Sequence, residues 1–322
     1  MPPSHQTLCK DDVAEAASLL RRGELVAIPT ETVYGLAGLA LNEAAVARIF
    51  AVKNRPHFDP LIAHLADASW LDRYVRHVPE PALALARRFW PGPLTLVLPR
   101  QENIPDLVTS GLDTVAVRVP DHPLTLQLLR ELDAPLAAPS ANPFGYISPT
   151  TPQHVLDQLG GRIAMVLDGG PCRVGLESSI IGFDGDKPLL YRLGGLSREQ
   201  IEAVAGPVEM SLHQSSDPRA PGQLLNHYAP RTPLLLGDPA LLAWEHPGRR
   251  LGYLAFQAPP DGPWMTGRVL SASADPEEAA RNLFRMLREL DAQPLDYILA
   301  ERLPDQGLGL AINDRLERAA QR

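Results

Sequence analysis

Proline breaks this chain so often, 33 times in 322 residues, that its apolar segments come as short pieces separated by turns. The breaks are spread along the chain rather than gathered in a low-complexity tract. One of them follows a short apolar segment at 25–28, which reads as a buried strand, and opens the stretch Pro29-Thr30-Glu31-Thr32-Val33-Tyr34-Gly35-Leu36. Pro29 has no N–H to give and so ends the ladder. Hydroxyls, a carboxylate and a phenol follow at once. Polar groups gathered at the end of a strand are where open α/β sheets bind ligands. Gly35 permits either a backbone angle closed to other residues or a close backbone approach. The stretch reads as a binding site or as an ordinary strand-to-loop transition.

The pattern around it is mixed. Helices are expected over 11–22, 43–52 with Asn42 as N-cap, 81–89, 123–132, 152–159 and 198–205, the last opened by a Ser197/Gln200 capping box. Strands are expected at 25–28, 61–65, 94–98, 115–119, 136–138, 163–167, 179–183 and 189–193. Strict βαβ alternation is absent. The expected class is α/β, α+β-like, with a twisted mixed sheet and surrounding helices rather than a doubly wound dinucleotide fold. Residues 206–232 are poor in apolar side chains and read as a linker. A smaller α/β, Rossmann-like unit follows over 233–322. Its strands are expected at 234–236, 250–256, 269–271 and 295–300, and its last helix at 311–320. Before that helix comes a longer one, capped by Asp275 with Glu278 completing the box, whose core face is Ala279, Leu283, Met286, Leu287 and Leu290. The expected domains are thus 1–205, a linker at 206–232, and 233–322.

Net charge is −8, which argues against a surface that holds nucleic acid by bulk electrostatics but leaves room for a local cationic pocket. Cys9 and Cys172 are far apart and imply neither a disulfide framework nor a zinc site. The opening Met1-Pro2-Pro3-Ser4-His5-Gln6 lacks a basic-then-apolar signal pattern. No apolar run approaches the roughly 20 residues that span a bilayer, so the cytoplasm is the expected location.

Lys53, Arg55, Arg118 and Arg192 fall at ends of expected elements, among loop hydroxyls at Thr30, Thr32, Ser140, Ser148, Ser178 and Ser179. Each cation alone reads as a surface residue. Together they suggest an anion pocket, because guanidinium forks match phosphate and carboxylate and hydroxyls serve the remaining oxygens. Neither a Gly-x-x-x-x-Gly-Lys-Ser/Thr loop nor a Gly-x-Gly-x-x-Gly after a strand is present, and no nucleophile elbow or Ser-His-Asp order is evident. His64 alone reads as a half-buried, satisfied histidine. Glu31 reads as a general base or, more simply, as a solvated loop carboxylate. The residues by themselves therefore give a two-unit α/β protein with an anion-binding cleft.

Several motifs, in order, carry a resemblance. Pro29–Leu36, Lys53-Asn54-Arg55-Pro56, Trp90-Pro91-Gly92-Pro93-Leu94-Thr95, Val117-Arg118-Val119-Pro120, Pro139-Ser140-Ala141-Asn142 with Ser148-Pro149-Thr150, and Glu177-Ser178-Ser179-Ile180 resemble the threonylcarbamoyl-AMP synthases and their YrdC-like domain through about residue 205. His227-Tyr228-Ala229-Pro230 and the closing Gly307-Leu308-Gly309 with Asn313, Arg315 and Leu316 resemble the two-domain form. The resemblance implies a nucleotidyltransferase that makes L-threonylcarbamoyladenylate from L-threonine, bicarbonate and ATP, releasing pyrophosphate. A downstream transferase complex would use the product to form N6-threonylcarbamoyladenosine at position 37 of tRNA. The threonine amine would take up CO2 or bicarbonate, and the carbamate oxygen would attack the α-phosphorus. Positioning and charge stabilisation carry such a reaction, with Mg2+ on the phosphates.

Residue by residue, the resemblance implies that Thr32, His64, Arg118, the Ala138 backbone and Ser178 hold threonine, with Arg118 a bidentate partner for its carboxylate. It assigns ATP to Lys53, Arg55, Asp59, Thr114, Ser140, Ser148, Arg192 and Tyr228, gives Lys53 and Arg55 the catalytic role, and leaves metal ligands unknown. Tyr228 would make the linker a lid. Three features depart from the family pattern. Leu224 and Asn226 replace basic residues in Ala220-Pro221-Gly222-Gln223-Leu224-Leu225-Asn226-His227-Tyr228, Asp59 stands where asparagine is common, and Ser179 replaces a usual threonine. Two other readings are an RNA-binding YrdC-like module without synthase activity, against which the acidic balance weighs, and a carbamoyl-adenylate enzyme with a different acceptor. The second unit has no legible catalytic motif, and its simplest role is to brace the lid.

Overall fold

The computed structural model of the chain describes residues 6–212, 220–222 and 228–321. The readings made on residues 1–5 and on Gln223, Leu224, Leu225, Asn226 and His227 lie outside the described residues. Eleven strands form one mixed sheet, in the spatial order Leu8–Lys10, Met165–Leu167, Val26–Ile28, Gly35–Leu39, Leu136–Ala137, Ile62–His64, Thr114–Arg118, Leu94–Pro99, Ser179–Asp184, Lys187–Arg192, Glu209–Met210. Four strands form a second sheet, all parallel, in the order Leu234–Leu236, Tyr297–Ala300, Leu251–Ala255, Trp264–Val269. The mixed first sheet and the small parallel second one are the two architectures the sequence leads one to expect. Among the described residues, no helix is long and apolar enough to cross a membrane.

Local chemistry accounts for most element ends. Asp12 accepts from the Glu15 amide at 2.9 Å and opens the helix Val13–Arg21. Asn42 does the same for Glu43–Lys53 through the Ala45 amide. The Ser197/Gln200 box is formed in both directions. Pro123–Leu132 and Pro152–Leu159 are helices with the expected bounds. The long helix is Pro276–Asp291, and its core face includes Ala280 and Phe284 beyond the expected stripe.

Several elements differ from expectation. Gly35–Leu39 is a strand hidden by its own composition, since two glycines and an alanine carry poor strand propensity. They are small because the layer is tight: a Cβ on Gly38 would lie 3.1 Å from Leu25 and 3.3 Å from Ile49. Gly35 has an ordinary φ, and its added Cβ would sit 3.1 Å from Ala138 Cβ, so close packing rather than backbone angle requires glycine there. Leu8–Lys10 and the helix Pro239–Glu245 are also unforeseen. Glu209–Met210 adds a strand at the head of the stretch read as linker. The strand expected at 269–271 is Trp264–Val269. Glu278 does not close a capping box. Its Oε2 accepts from Ser271 Oγ at 2.5 Å and Ser273 Oγ at 3.2 Å, while Ser271 Oγ accepts from the Asp275 amide.

The two units meet along a polar seam. Asp291 accepts from the Thr232 amide at 2.8 Å, Tyr146 Oη at 2.6 Å and Arg231 Nε at 3.1 Å. Arg288 donates to the carbonyls of Ile147 and Ser148 and lies over the Tyr146 ring, 5.0 Å from its centroid.

Candidate active site

Ile62–His64 and Thr114–Arg118 are parallel neighbours that pair His64 with Arg118 at their carboxyl ends. Residues in register share a face of the sheet, so the imidazole and the guanidinium stand side by side. The antiparallel neighbour Leu136–Ala137 delivers Ala138 beside them, its amide donating to Ile62 O at 3.0 Å. The turn between Val26–Ile28 and Gly35–Leu39 supplies Thr30 and Thr32. Thr30 Oγ1 accepts from the amides of Thr32 and Val33, which folds the turn on itself. These residues line one cavity with Arg55, Ser140, Glu177, Ser178 and Arg192. Pro221, Gly222 and Tyr228 cover it.

Its cations are buried and committed. Arg118 Nη2 lies 2.7 Å from Glu31 Oε2, and its Nε donates to Gly92 O at 3.2 Å. Glu31 is thus a buried ion-pair partner, not a solvated loop residue. One side of the Arg118 fork is used, and Nη1 engages no protein group among the described residues. The Nη1 end of the fork is left for a ligand. Arg55 Nη2 lies 2.8 Å from Asp59 Oδ2 and donates to Pro60 O at 2.8 Å. Lys53 and Arg192 face no carboxylate within ion-pair distance among the described residues. Lys53 Nζ donates to Ser140 O at 2.5 Å and Asn142 O at 2.6 Å. Arg192 donates to Ser178 O through Nε and Nη2, to Ser178 Oγ at 3.1 Å and to Pro221 O at 3.2 Å.

Two buried cations met by dipoles alone leave the hollow electropositive, a setting that favours an anion. Burial, then the neighbouring Arg55, holds the Lys53 ammonium well below the usual lysine range. Burial pulls Arg192 down to about 10. Burial pushes the Asp59 carboxyl up, against the pull of Arg55. His64 is lowered to about 3 by burial and then by Arg118, so its imidazole is neutral at pH 7. Its Nδ1 is buried without a hydrogen-bond partner among the described residues.

The structure gathers Thr32, His64, Arg118, Ala138 and Ser178 with Arg55, Ser140, Arg192 and Tyr228 on one lining. Lys53 and Asp59 lie behind it. Ser148 also stands off the lining, its hydroxyl donating to Glu177 Oε1 at 2.6 Å. Thr114 begins the strand that Arg118 ends, opposite Pro99, about 13 Å away at roughly 3.3 Å per residue. Sequence reasoning missed the pairing of Glu31 and the role of Arg315, which donates to Glu177 Oε2 at 3.0 Å. The clue to Arg315 was the closing motif itself, which carried no assigned role. Cys9 and Cys172 are free.

Residues 18–194 match the family described as "Telomere recombination", the Sua5/YciO/YrdC group, and residues 196–321 match "Threonylcarbamoyl-AMP synthase, C-terminal domain". The chain is 45% identical to the threonylcarbamoyl-AMP synthase of Bacillus subtilis, covering 96% of this chain and 92% of that protein. It is 42% identical to the threonylcarbamoyl-AMP synthase of Pyrococcus abyssi, covering 95% and 93%. The crystal structure of P. abyssi Sua5 complexed with L-threonine superposes with a TM-score of 0.91 at 40% identity, covering 98% of each chain. With both family matches in sequence order and an architecture shared end to end, this chain belongs to the threonylcarbamoyl-AMP synthases, enzymes of the nucleotidyltransferase type, in their two-domain form.

Proposed function

We propose that the chain condenses L-threonine, bicarbonate and ATP to L-threonylcarbamoyladenylate in the cytoplasm, releasing pyrophosphate. A tRNA-modifying transferase complex then draws on the product to form N6-threonylcarbamoyladenosine at position 37. The observation that carries this reading is the electropositive cavity beside a neutral histidine, in a chain of this family.

Threonine sits among Thr32, His64, Ala138 and Ser178, with its carboxylate on the Nη1 end of Arg118. The neutral His64 Nδ1 accepts a hydrogen bond from the substrate, which a charged imidazole would repel. The threonine nitrogen bonds to the carbon of CO2 and loses a proton to give a carbamate, or bonds to the carbon of bicarbonate as its C–OH bond breaks, the hydroxyl and the amine proton leaving as water. A carbamate oxygen then bonds to the α-phosphorus as the bond from that phosphorus to the α,β-bridging oxygen breaks, and pyrophosphate leaves with that oxygen. Arg55 and Arg192 flank the phosphates, and Lys53 adds its field from behind Ser140. No side-chain nucleophile is required, because orientation and charge stabilisation supply the acceleration. Magnesium arrives with ATP as part of the substrate. Asp59 Oδ2 is already held by Arg55.

The test is incubation with MgATP, threonine and labelled bicarbonate, followed by mass detection of the adenylate. Pyrophosphate release should require both threonine and bicarbonate. Release without threonine, or none with all three present, rejects the proposal.

A further inference from the structure

The final helix of the second unit, Gly309–Ala319, buries two arginines at the back of the site. Arg318 Nη1 donates to Gly222 O at 2.7 Å, and its Nε donates to Asp314 Oδ1 at 3.0 Å. The other Asp314 oxygen takes Arg315 Nη1. Arg315 Nε donates to Glu177 Oε2 at 3.0 Å and its Nη2 to Leu193 O at 2.7 Å, with its guanidinium 4.8 Å from the centroid of the Tyr228 ring. A row of alternating charge thus runs from the cavity wall, through the last helix, to the turn that covers the cavity.

We propose that Arg318 and Arg315 are positioning residues of the synthase, holding the Pro221–Gly222 turn and Tyr228 closed over the nucleotide half of the cavity. The proposal rests on the function proposed above. Burying two guanidinium groups is costly unless every donor is matched, and here the matches lead to the cover and the wall. The turn is clasped from both sides. Arg192, of the first unit, holds Pro221 O, and Arg318, of the second, holds Gly222 O. Gly222 has φ +77°, and a Cβ there would lie 2.9 Å from Arg192 Nη1, so the residue between the two clamps has no room to differ. Arginine is needed because its planar fork bonds in two directions at once, whereas a lysine ammonium offers a single point. The two arginines touch no reacting atom. Losing them should loosen the cover without altering the threonine subsite.

The experiment measures steady-state kinetics of full-length wild type, Arg318→Lys and Arg318→Met, each checked by thermal melting. For Arg318→Met, the KM for ATP should rise by about tenfold to a hundredfold, the range expected for one hydrogen bond from a charged donor. The KM for threonine should stay within about twofold, and Arg318→Lys should fall between wild type and Met. Should Arg318→Met fail to fold, Gly222→Ala disturbs the same turn from its Arg192 side and should likewise raise the KM for ATP more than that for threonine. Unchanged KM for ATP, or equal losses in both KM values that track the melting temperature, overturns the positioning role. A wild type without threonine-dependent pyrophosphate release rejects the function itself, a different outcome from either.

Discussion

The two sheets finish their strands in opposite ways. In the large mixed sheet, the carboxyl ends of Ile62–His64 and Thr114–Arg118 carry buried polar side chains that the protein does not fully satisfy. His64 Nδ1 and, just past the carboxyl end of Val26–Ile28, Glu31 Oε1 have no hydrogen-bond partner among the described residues. In the small parallel sheet, the polar groups at the ends close on one another. Phe256 N donates to Glu301, Ser271 Oγ to Glu278, and Asn282 Nδ2 to Leu270 O at 2.8 Å. The second sheet leaves no buried side-chain polar atom unmatched among its described residues. Strand ends in open α/β sheets are where ligands bind, but the site here forms where polar burial is left incomplete. Where it is complete, the same geometry is scaffold.

The sharpest way to break this contrast is Arg118→Ala. It strands Glu31 in the interior, and stability should fall by about 3–5 kcal/mol in urea unfolding. Adding Glu31→Gln should recover part of that loss. A single mutant as stable as wild type would show that the pair does not bear on the fold. The next effect comes from acid. The folded pKa of His64 is depressed to about 3, so the unfolded chain takes up a proton near pH 6.5 that the folded chain refuses. Stability from this group is complete above 6.5 and lost as pH falls toward 3, about 2–3 kcal/mol by pH 4.5. His64→Gln should reduce the slope of stability against pH by about one proton. An unaltered slope would place the titration elsewhere. On the scaffold side, Ser271→Ala leaves the Asp275 amide and Glu278 short of a partner and should cost about 1–2 kcal/mol. KM for threonine and ATP should not change, and a shift in either would erase the distinction between the sheets. Smallest of all, Trp244→Ser at an 88% exposed position should move stability by no more than about 0.5 kcal/mol.

Much of the first unit was legible because its boundaries rest on local chemistry. Asp12, Asn42 and Ser197 cap helices through their own neighbours, and Pro123 and Pro152 start them, so a short window of sequence contains the cause. Gly35–Leu39 was not legible, since its glycines answer to Leu25, Ile49 and Ala138, which lie outside any such window. The same reason separates the readable from the unreadable parts of the site. The hydroxyls and cations stand in compact motifs, and the cavity brings most of them together. Their partners do not. Glu31 lies 87 residues before Arg118, and what the family resemblance implied for Arg118 did not include the carboxylate that already holds one side of its fork. Glu278 shows the converse error: the spacing for a capping box is right, but two serine hydroxyls three and five residues before the helix compete for its carboxylate and win.

The Glu177–Arg315 pair spans 138 residues of chain. On a ribosome, the first unit therefore emerges with an acid in its cavity wall that has no counter-ion, and it stays so until residues 309–319 have been made. The wall that faces substrate is finished by residues made well after the whole of the first unit, so a nascent chain can hold the fold of that unit before it holds a complete site.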